Sequence, residues 1–356
     1  MRGYFLSVIL LNHLHYYPSP LTLFTGQGLL YVSTAEGFFA VSGIVLGIVR
    51  GRKLNDLPFK HAASLLLKRS FQLYLTSIVL TLLFTFIGIL FVNSPGLKFG
   101  LYTDWTNLFD LLWKTLTLQY TYGWADFLRY YAIFLLFAPA ALWLLRKNLW
   151  HILMAASLLV WCFFPLSPLP PELSQPMSWQ VIFFASFVIG YYWPILVSRW
   201  NMISLQTRKV FGALLISTAA ITIVISAVLV FGFEIGGTAG SYLTSIHHTV
   251  EPWFNKDRMP ITRILLGTVW FWALFWIVRT NEHRIMKRVG WFFLPLGENS
   301  LYVYTIQAFV VFFAHLFILK EAGSDNILLN TVLSIAALAI IWFLVRKKFL
   351  MNIIPR

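Results

Sequence analysis

Apolar residues recur along this chain in long runs separated by short polar segments. A hydrocarbon core of ~30 Å needs about 20 apolar residues in a helix, and irregular lipid-facing backbone is forbidden, so each long run predicts a spanning helix. Ten such runs occur, at Gly3–Tyr17, Tyr31–Val49, Ser70–Val92, Phe127–Leu145, Leu149–Phe164, Ser178–Leu196, Val210–Gly232, Ile261–Val278, Ser300–Leu319 and Ile327–Val345. The first and fifth are short, so they continue into their flanks or the count of spans is smaller. No fixed-period repeat or low-complexity tract interrupts the pattern. The expected fold is an all-α integral membrane protein, a bundle of about ten transmembrane helices read as a single polytopic domain over residues 1–356.

The segments between the runs test this count, because cytoplasmic loops hold the Lys and Arg. With the N-terminus inside, the inner segments carry 20 basic residues. The outer segments carry five, Lys98, Lys114, Lys256, Arg258 and Lys320, and Arg129 and Arg263 lie inside helix ends. An alternation that holds through nine loops predicts both termini in the cytoplasm, with 93–126 and 233–260 as the long outer loops and 279–299 as an inner one. Leu108–Leu118 is amphipathic and is expected along the outer interface. The first run has the length of a signal peptide, but Asn12, His13 and His15 interrupt its apolar character and no small-residue cleavage pattern precedes Pro18. A retained first helix is therefore expected.

Composition agrees and removes other classes. Hydrophobic residues make up 59% and charged residues 11%, against roughly 25% charged in soluble domains. The formal net charge of +14 would suit nucleic acid on a soluble face, but here it is spread over inner loops, where it sets topology and meets anionic lipid headgroups. No nucleic-acid partner is expected. The lone Cys162 lies in an apolar run, which excludes an intramolecular disulfide and a thiolate metal cluster. Zinc spacings, phosphate-binding glycine loops and nucleophile elbows are absent, so no metal and no bound cofactor is expected.

Polar residues inside the runs then carry the functional signal, because ionisable groups there are costly and mark cavities or sites. Arg2 and His13 are 11 residues apart, only about 20° from whole turns at ~100° per residue, so they share one face of the first helix. At 1.5 Å per residue they stand about 16 Å apart, a cation at one mouth and an imidazole deep in the span. Histidine titrates near neutral pH and suits proton transfer. A buried neutral histidine bonded to a neighbouring helix is the structural alternative. His15 points away, and His151 and His315 have no recurring partner and read as structural.

Glu36 sits near the start of the second helix and needs a cation, for which Arg129, Arg263 or protonated His13 are available. A purely structural ion pair is the alternative. Gly37, Gly43 and Gly47 permit close helix packing.

Several blocks together resemble the OpgC family, within the wider acyltransferase family 3. They are Arg2-Gly3 through Asn12-His13, Ala35-Glu36-Gly37-Phe38 with Ser42-Gly43, Gln119-Tyr120 with Ala125-Asp126 and Tyr130, Trp179-Gln180, Asp257 to Arg263, and Leu296-Gly297 to Ser300-Leu301 with Tyr304. The chain departs from the family pattern at three places. The family usually has an Asp shortly before Arg-Gly, whereas Met1 directly precedes Arg2 here, so an earlier start is expected. Glu298 stands where a basic residue is common, and Arg129 where a Pro is common.

The resemblance implies a multispan enzyme of the bacterial cytoplasmic (inner) membrane. Such an enzyme takes an acyl group, typically succinyl, from cytoplasmic acyl-CoA (succinyl-CoA) and esterifies a hydroxyl of an extracytoplasmic glucan. Carried over by position, His13 becomes general base or transient acyl carrier and Glu36 its orienting partner. Arg2 and Arg69 become cations near the donor, and Asp126, Gln180, Asp257 and Arg263 line the acceptor side. The competing class is a transporter or flippase for a glycan or lipid-linked substrate, although matched broken helices in two repeated halves are not seen.

Overall fold

A computed structural model describes residues 1–97, 99–318, 326–352 and 354. Lys98, Leu319, Lys320 and Arg356, used above for the charge alternation and the ninth run, lie outside the described residues. Among the described residues every regular element is helical. The principal helices are α1 (Arg2–Leu14), α2 (Thr34–Leu46), α3 (Phe59–Leu90), α4 (Leu108–Leu116), α5 (Asp126–Arg146), α6 (Trp150–Phe163) and α7 (Pro171–Tyr191). They continue with α8 (Trp193–Met202), α9 (Leu205–Val230), α10 (Gly237–Val250), α11 (Ile261–Thr280), α12 (Glu282–Glu298), α13 (Ser300–Phe317) and α14 (Ile327–Arg346).

Seven of these helices are long and apolar enough to cross a membrane, with α2 counted through Arg52, and the bent pair α7–α8 makes eight. The chain is thus a multi-pass membrane protein. These helices alone do not reach the expected ten or so, for a physical reason. The first and fifth runs form helices of 13 and 14 residues, about 20 Å long at 1.5 Å per residue, shorter than the ~30 Å core. The run Ser178–Leu196 is also not one rod, because α7 and α8 meet at 69° beside Tyr192. Most of 279–299, read as a loop, is helical as α12 (Glu282–Glu298), whose polar and apolar faces obscure it in a linear reading.

The core is built around α1. Gly3, Leu14 and every residue from Phe5 to Leu11 are buried, so this short helix is enclosed by protein rather than lipid. Its first turn lies on α12, where a Cβ at Gly3 would strike the Phe293 carbonyl and one at Gly297 would sit 3.0 Å from the Gly3 nitrogen. Its last turn meets α13 at His315. A left-handed His15 (φ 55°) ends it, returning its N–H to the Leu11 carbonyl.

The second helix pair is packed backbone to backbone. A Cβ at Gly43 would lie 2.5 Å from the Phe183 carbonyl and one at Gly47 2.5 Å from the Phe187 carbonyl, so both glycines are needed for α2 to lie on α7. Gly37 instead receives the ring of Phe5 from α1. Ser70 Oγ donates to the Ala132 carbonyl at 2.7 Å and ties α3 to α5. Helices α9 and α11 pack on each other at the periphery, α9 mostly exposed along its length and α11 mostly half-buried, with few fully buried residues in either.

Candidate active site

The chemistry-bearing residues fall into three groups, set by where α1 begins, where it ends, and what packs beside it. At its start, Arg2 lines a cavity of about 510 Å³ together with Gly3 and Tyr4, bounded by α2, α11 and α12. Glu282 and Glu298 also line it, and Arg279 pairs with Glu282. Arg69 of α3 lies within electrostatic reach of Tyr131, Arg2 and Arg50, and its Nη1 donates to Gln72 Oε1 at 3.4 Å. Of the two cations expected near the donor, Arg2 lines this cavity and Arg69 lies outside its lining.

At the other end, His13 occupies the last turn of α1 and is half-buried. Its ring lies 6.4 Å from that of Trp124, and the same indole stacks on His315 at 5.0 Å with 29° between planes. His315 Nε2 donates to the His13 carbonyl at 2.8 Å. Because a carbonyl only accepts, Nε2 is the protonated nitrogen of His315. Trp124 belongs to the segment 117–125, which Arg129 fastens to α5 by donating from Nη1 to the Leu118 carbonyl and to Thr121 Oγ1, both at 3.3 Å. Burial within this segment pushes Tyr122 up to about 12 and keeps it protonated.

Asp126, two residues beyond Trp124, opens α5 and accepts from the Phe127 N–H at 3.0 Å. Tyr304 lies in its field, and Tyr130 lies in the fields of both Asp126 and Asp257. Asp257 is exposed on the rim, and its carbonyl accepts from Ser178 Oγ at 2.9 Å. Farther out on the segment before α5, Lys114 and then Tyr102 hold the half-buried Asp110 carboxyl below its ordinary value.

The third group is an ion pair. Glu36 Oε1 accepts from Arg263 Nε at 2.6 Å and pairs with Nη2 at 2.5 Å, and both residues are only 4% exposed. Arg263 Nη1 continues to the Phe254 carbonyl at 2.6 Å. The other carboxylate oxygen accepts the Ser33 N–H at 3.1 Å and the Ser33 hydroxyl, a capping box that starts α2. Of the three cations open to Glu36, Arg263 is the one it meets. Gly37 packs on Phe5, eight residues and about 12 Å before His13 along α1. Glu36 therefore sits beside the first half of α1, with its oxygens engaged by Ser33 and Arg263, and is not brought onto the His13 ring.

Gln180 is likewise turned away from His13. Its Nε2 donates to the Ser157 carbonyl at 2.7 Å and its Oε1 accepts the Ser157 hydroxyl at 2.6 Å, so it clamps α6 to α7. A larger chamber of about 1000 Å³, next to Leu14 and Tyr16 and among α3, α13 and α14, has no charged residue in its lining, although Arg69 Nη1 donates to Gln72 on its wall at 3.4 Å.

Sequence reading missed Trp124 and the contact of His315. Their partners are a ring and a backbone carbonyl, which leave no spacing signature. Ser33 was findable, since Ser33-Thr34-Ala35-Glu36 has capping-box spacing.

No curated protein and no solved structure matches this chain. A family model described as OpgC protein does match, over residues 1–352. That span takes in both ends of α1, the segment holding Trp124 and the Glu36–Arg263 pair, and the chain belongs to the OpgC protein family.

Proposed function

We propose that this chain is a membrane O-acyltransferase that moves an acyl group, succinyl in the reading its family favours, from cytoplasmic acyl-CoA to a hydroxyl of an extracytoplasmic glucan or related glycan. It would be one of the wider acyltransferase family 3 and lie in the bacterial inner membrane. With α1 and α6 counted as short spans it crosses ten times, both termini in the cytoplasm. The observation that carries the reading is α1 itself. One buried helix joins a cavity lined by Arg2 to a histidine about 16 Å away, beside a different set of loops.

In this scheme Arg2 and Arg69 hold the anionic parts of the donor, and Asp126 and Asp257 flank the acceptor through the rim around Tyr130. Arg263 and Glu36 act as a pair that fixes the α2 entrance, and Gln180 keeps α6 and α7 in place behind it. His13 accepts the proton of the sugar hydroxyl as that oxygen attacks the thioester carbonyl carbon. The carbon–sulfur bond breaks, and the departing CoA thiolate takes the proton from the imidazolium, giving an ester and free CoA. An alcohol is a weak nucleophile near neutral pH, and a positioned base contributes roughly 10² to 10⁴ in rate. The ring must therefore be neutral before the attack.

The test is to reconstitute the purified protein in liposomes with a panel of acyl-CoA donors, succinyl-CoA included, and a glucan acceptor. CoA release and the mass of the glucan are followed together. His13→Ala is expected to abolish both signals with membrane insertion unchanged, since Ala is the best helix former. Retention of more than about a tenth of the turnover would refute the base assignment, given that contribution. Glucan movement without CoA release would replace the proposal with transport.

A further inference from the structure

We infer that His315 is a positioning residue for His13, holding the end of α1 so that the His13 imidazole meets the reacting hydroxyl. This rests on the reading of His13 as the proton acceptor. The last four carbonyls of a helix lack partners within it. In α1 the Leu11 carbonyl receives the His15 N–H, and the His13 carbonyl receives Nε2 of His315, 302 residues later, at 2.8 Å. The residue whose side chain would do the chemistry is thus held by its own backbone.

Two further contacts make the hold specific. The His315 ring stacks on Trp124 at 5.0 Å, and Trp124 in turn faces the His13 ring at 6.4 Å, so the two histidines share one indole. His315 is also backed from behind. A Cβ at Gly96 would strike the His315 carbonyl, and Ser94 Oγ donates to the neighbouring Leu316 carbonyl at 3.4 Å. The terminus of α1, the segment carrying Trp124 and the end of α13 therefore close on one imidazole. A misplacement of 1 Å in a reacting group costs about 10²-fold in rate, so a hold on this terminus bears directly on turnover.

The experiment compares His315→Phe, which keeps a ring against Trp124 but donates no hydrogen bond, with His315→Gln, whose amide nitrogen can reach the same carbonyl. Wild type and His13→Ala are measured alongside in the same liposomes. His315→Phe is expected to lower kcat about 10- to 100-fold, with KM for the acyl-CoA donor within about threefold of wild type and the same thermal unfolding midpoint. His315→Gln is expected to recover most of the loss. A His315→Phe enzyme with wild-type kcat overturns the inference. So does loss of kcat only in step with loss of folded protein, or a His315→Gln variant no better than His315→Phe. If wild type itself transfers no acyl group, the underlying reading fails instead; an active wild type with an unimpaired His315→Phe variant removes the positioning role alone.

Discussion

Breaking the Glu36–Arg263 pair by one partner should cost far more than removing both. Arg263→Gln leaves a carboxylate that is 4% exposed with only the Ser33 N–H and hydroxyl as donors, and leaves the Phe254 carbonyl without its guanidinium. Removing one member of a buried pair typically costs about 3–5 kcal/mol, because the remaining charge is uncompensated. Glu36→Gln should fall at the lower end of that range, since a Gln side-chain oxygen can still accept from Ser33 and preserve part of the capping box, while Arg263 keeps the Phe254 carbonyl. The double variant replaces both charges by neutral amides. It should therefore be more stable than the sum of the single losses predicts by about 1–3 kcal/mol, the range for residues in one network. Arg263→Lys should recover only part of the loss, because one ammonium cannot reproduce two contacts to Oε1 and a third to Phe254. The assay is equilibrium unfolding in mixed micelles for wild type, both single variants and the double. A coupling below about 0.5 kcal/mol, the scatter of independent sites, would refute the claim that the two charges share one buried environment.

Three other outcomes follow from the packing and the charges. Gly47→Leu should destabilise α2 on α7 by at least the 1–3 kcal/mol typical of overpacking, since its Cβ would meet the backbone at Phe187 and Tyr191, whereas Gly267→Ala, whose Cβ nears only Val32 at 3.4 Å, should be close to neutral in the same unfolding assay. Arg2→Ala should raise KM for acyl-CoA about tenfold, roughly 1.4 kcal/mol of donor binding, with little change in the yield of folded protein; an unchanged KM would remove Arg2 from the donor site. Arg284→Cys in an otherwise cysteine-free variant should react with a membrane-impermeant maleimide only after cells are permeabilised, and labelling in intact cells would invert the proposed orientation.

The spanning elements were legible because lipid exposure forces long apolar stretches. Ile261–Val278 and Ile327–Val345 differ from α11 and α14 by one or two residues at the end. The bend at Tyr192 was not legible, since the chain is apolar on both sides of it. Helix α12 was hidden for the opposite reason, with Arg284, Lys287 and Arg288 on its polar side masking Leu296 and Gly290 on its buried side. Within the site, sequence supplied three possible cations for Glu36 and could not choose among them, because the chosen one is 227 residues away. Gln180 was reached only through the block Trp179-Gln180, and the partner that decides its orientation, Ser157, is an ordinary serine on another helix.

The glycines next to the charged residues explain why the blocks matter as units. Arg2-Gly3 and Leu296-Gly297 are almost 300 residues apart in sequence, yet Gly3 and Gly297 meet, with no room for a Cβ on Gly3 and a tight 3.0 Å approach for one on Gly297. That approach fixes the start of α1 against α12 and puts Arg2 and Glu298 on one cavity wall. From that anchor, a rigid helix of known rise sets the height and the face of His13, so the spacing of 11 residues becomes a distance of about 16 Å in space. The far end needs its own anchor, since a short helix held only at its start can pivot, and there the chain uses the His13 carbonyl, His315 and Trp124. A helix too short to be held by a bilayer is thereby held at both ends by protein, which is the arrangement a fixed separation between a charge site and an imidazole requires.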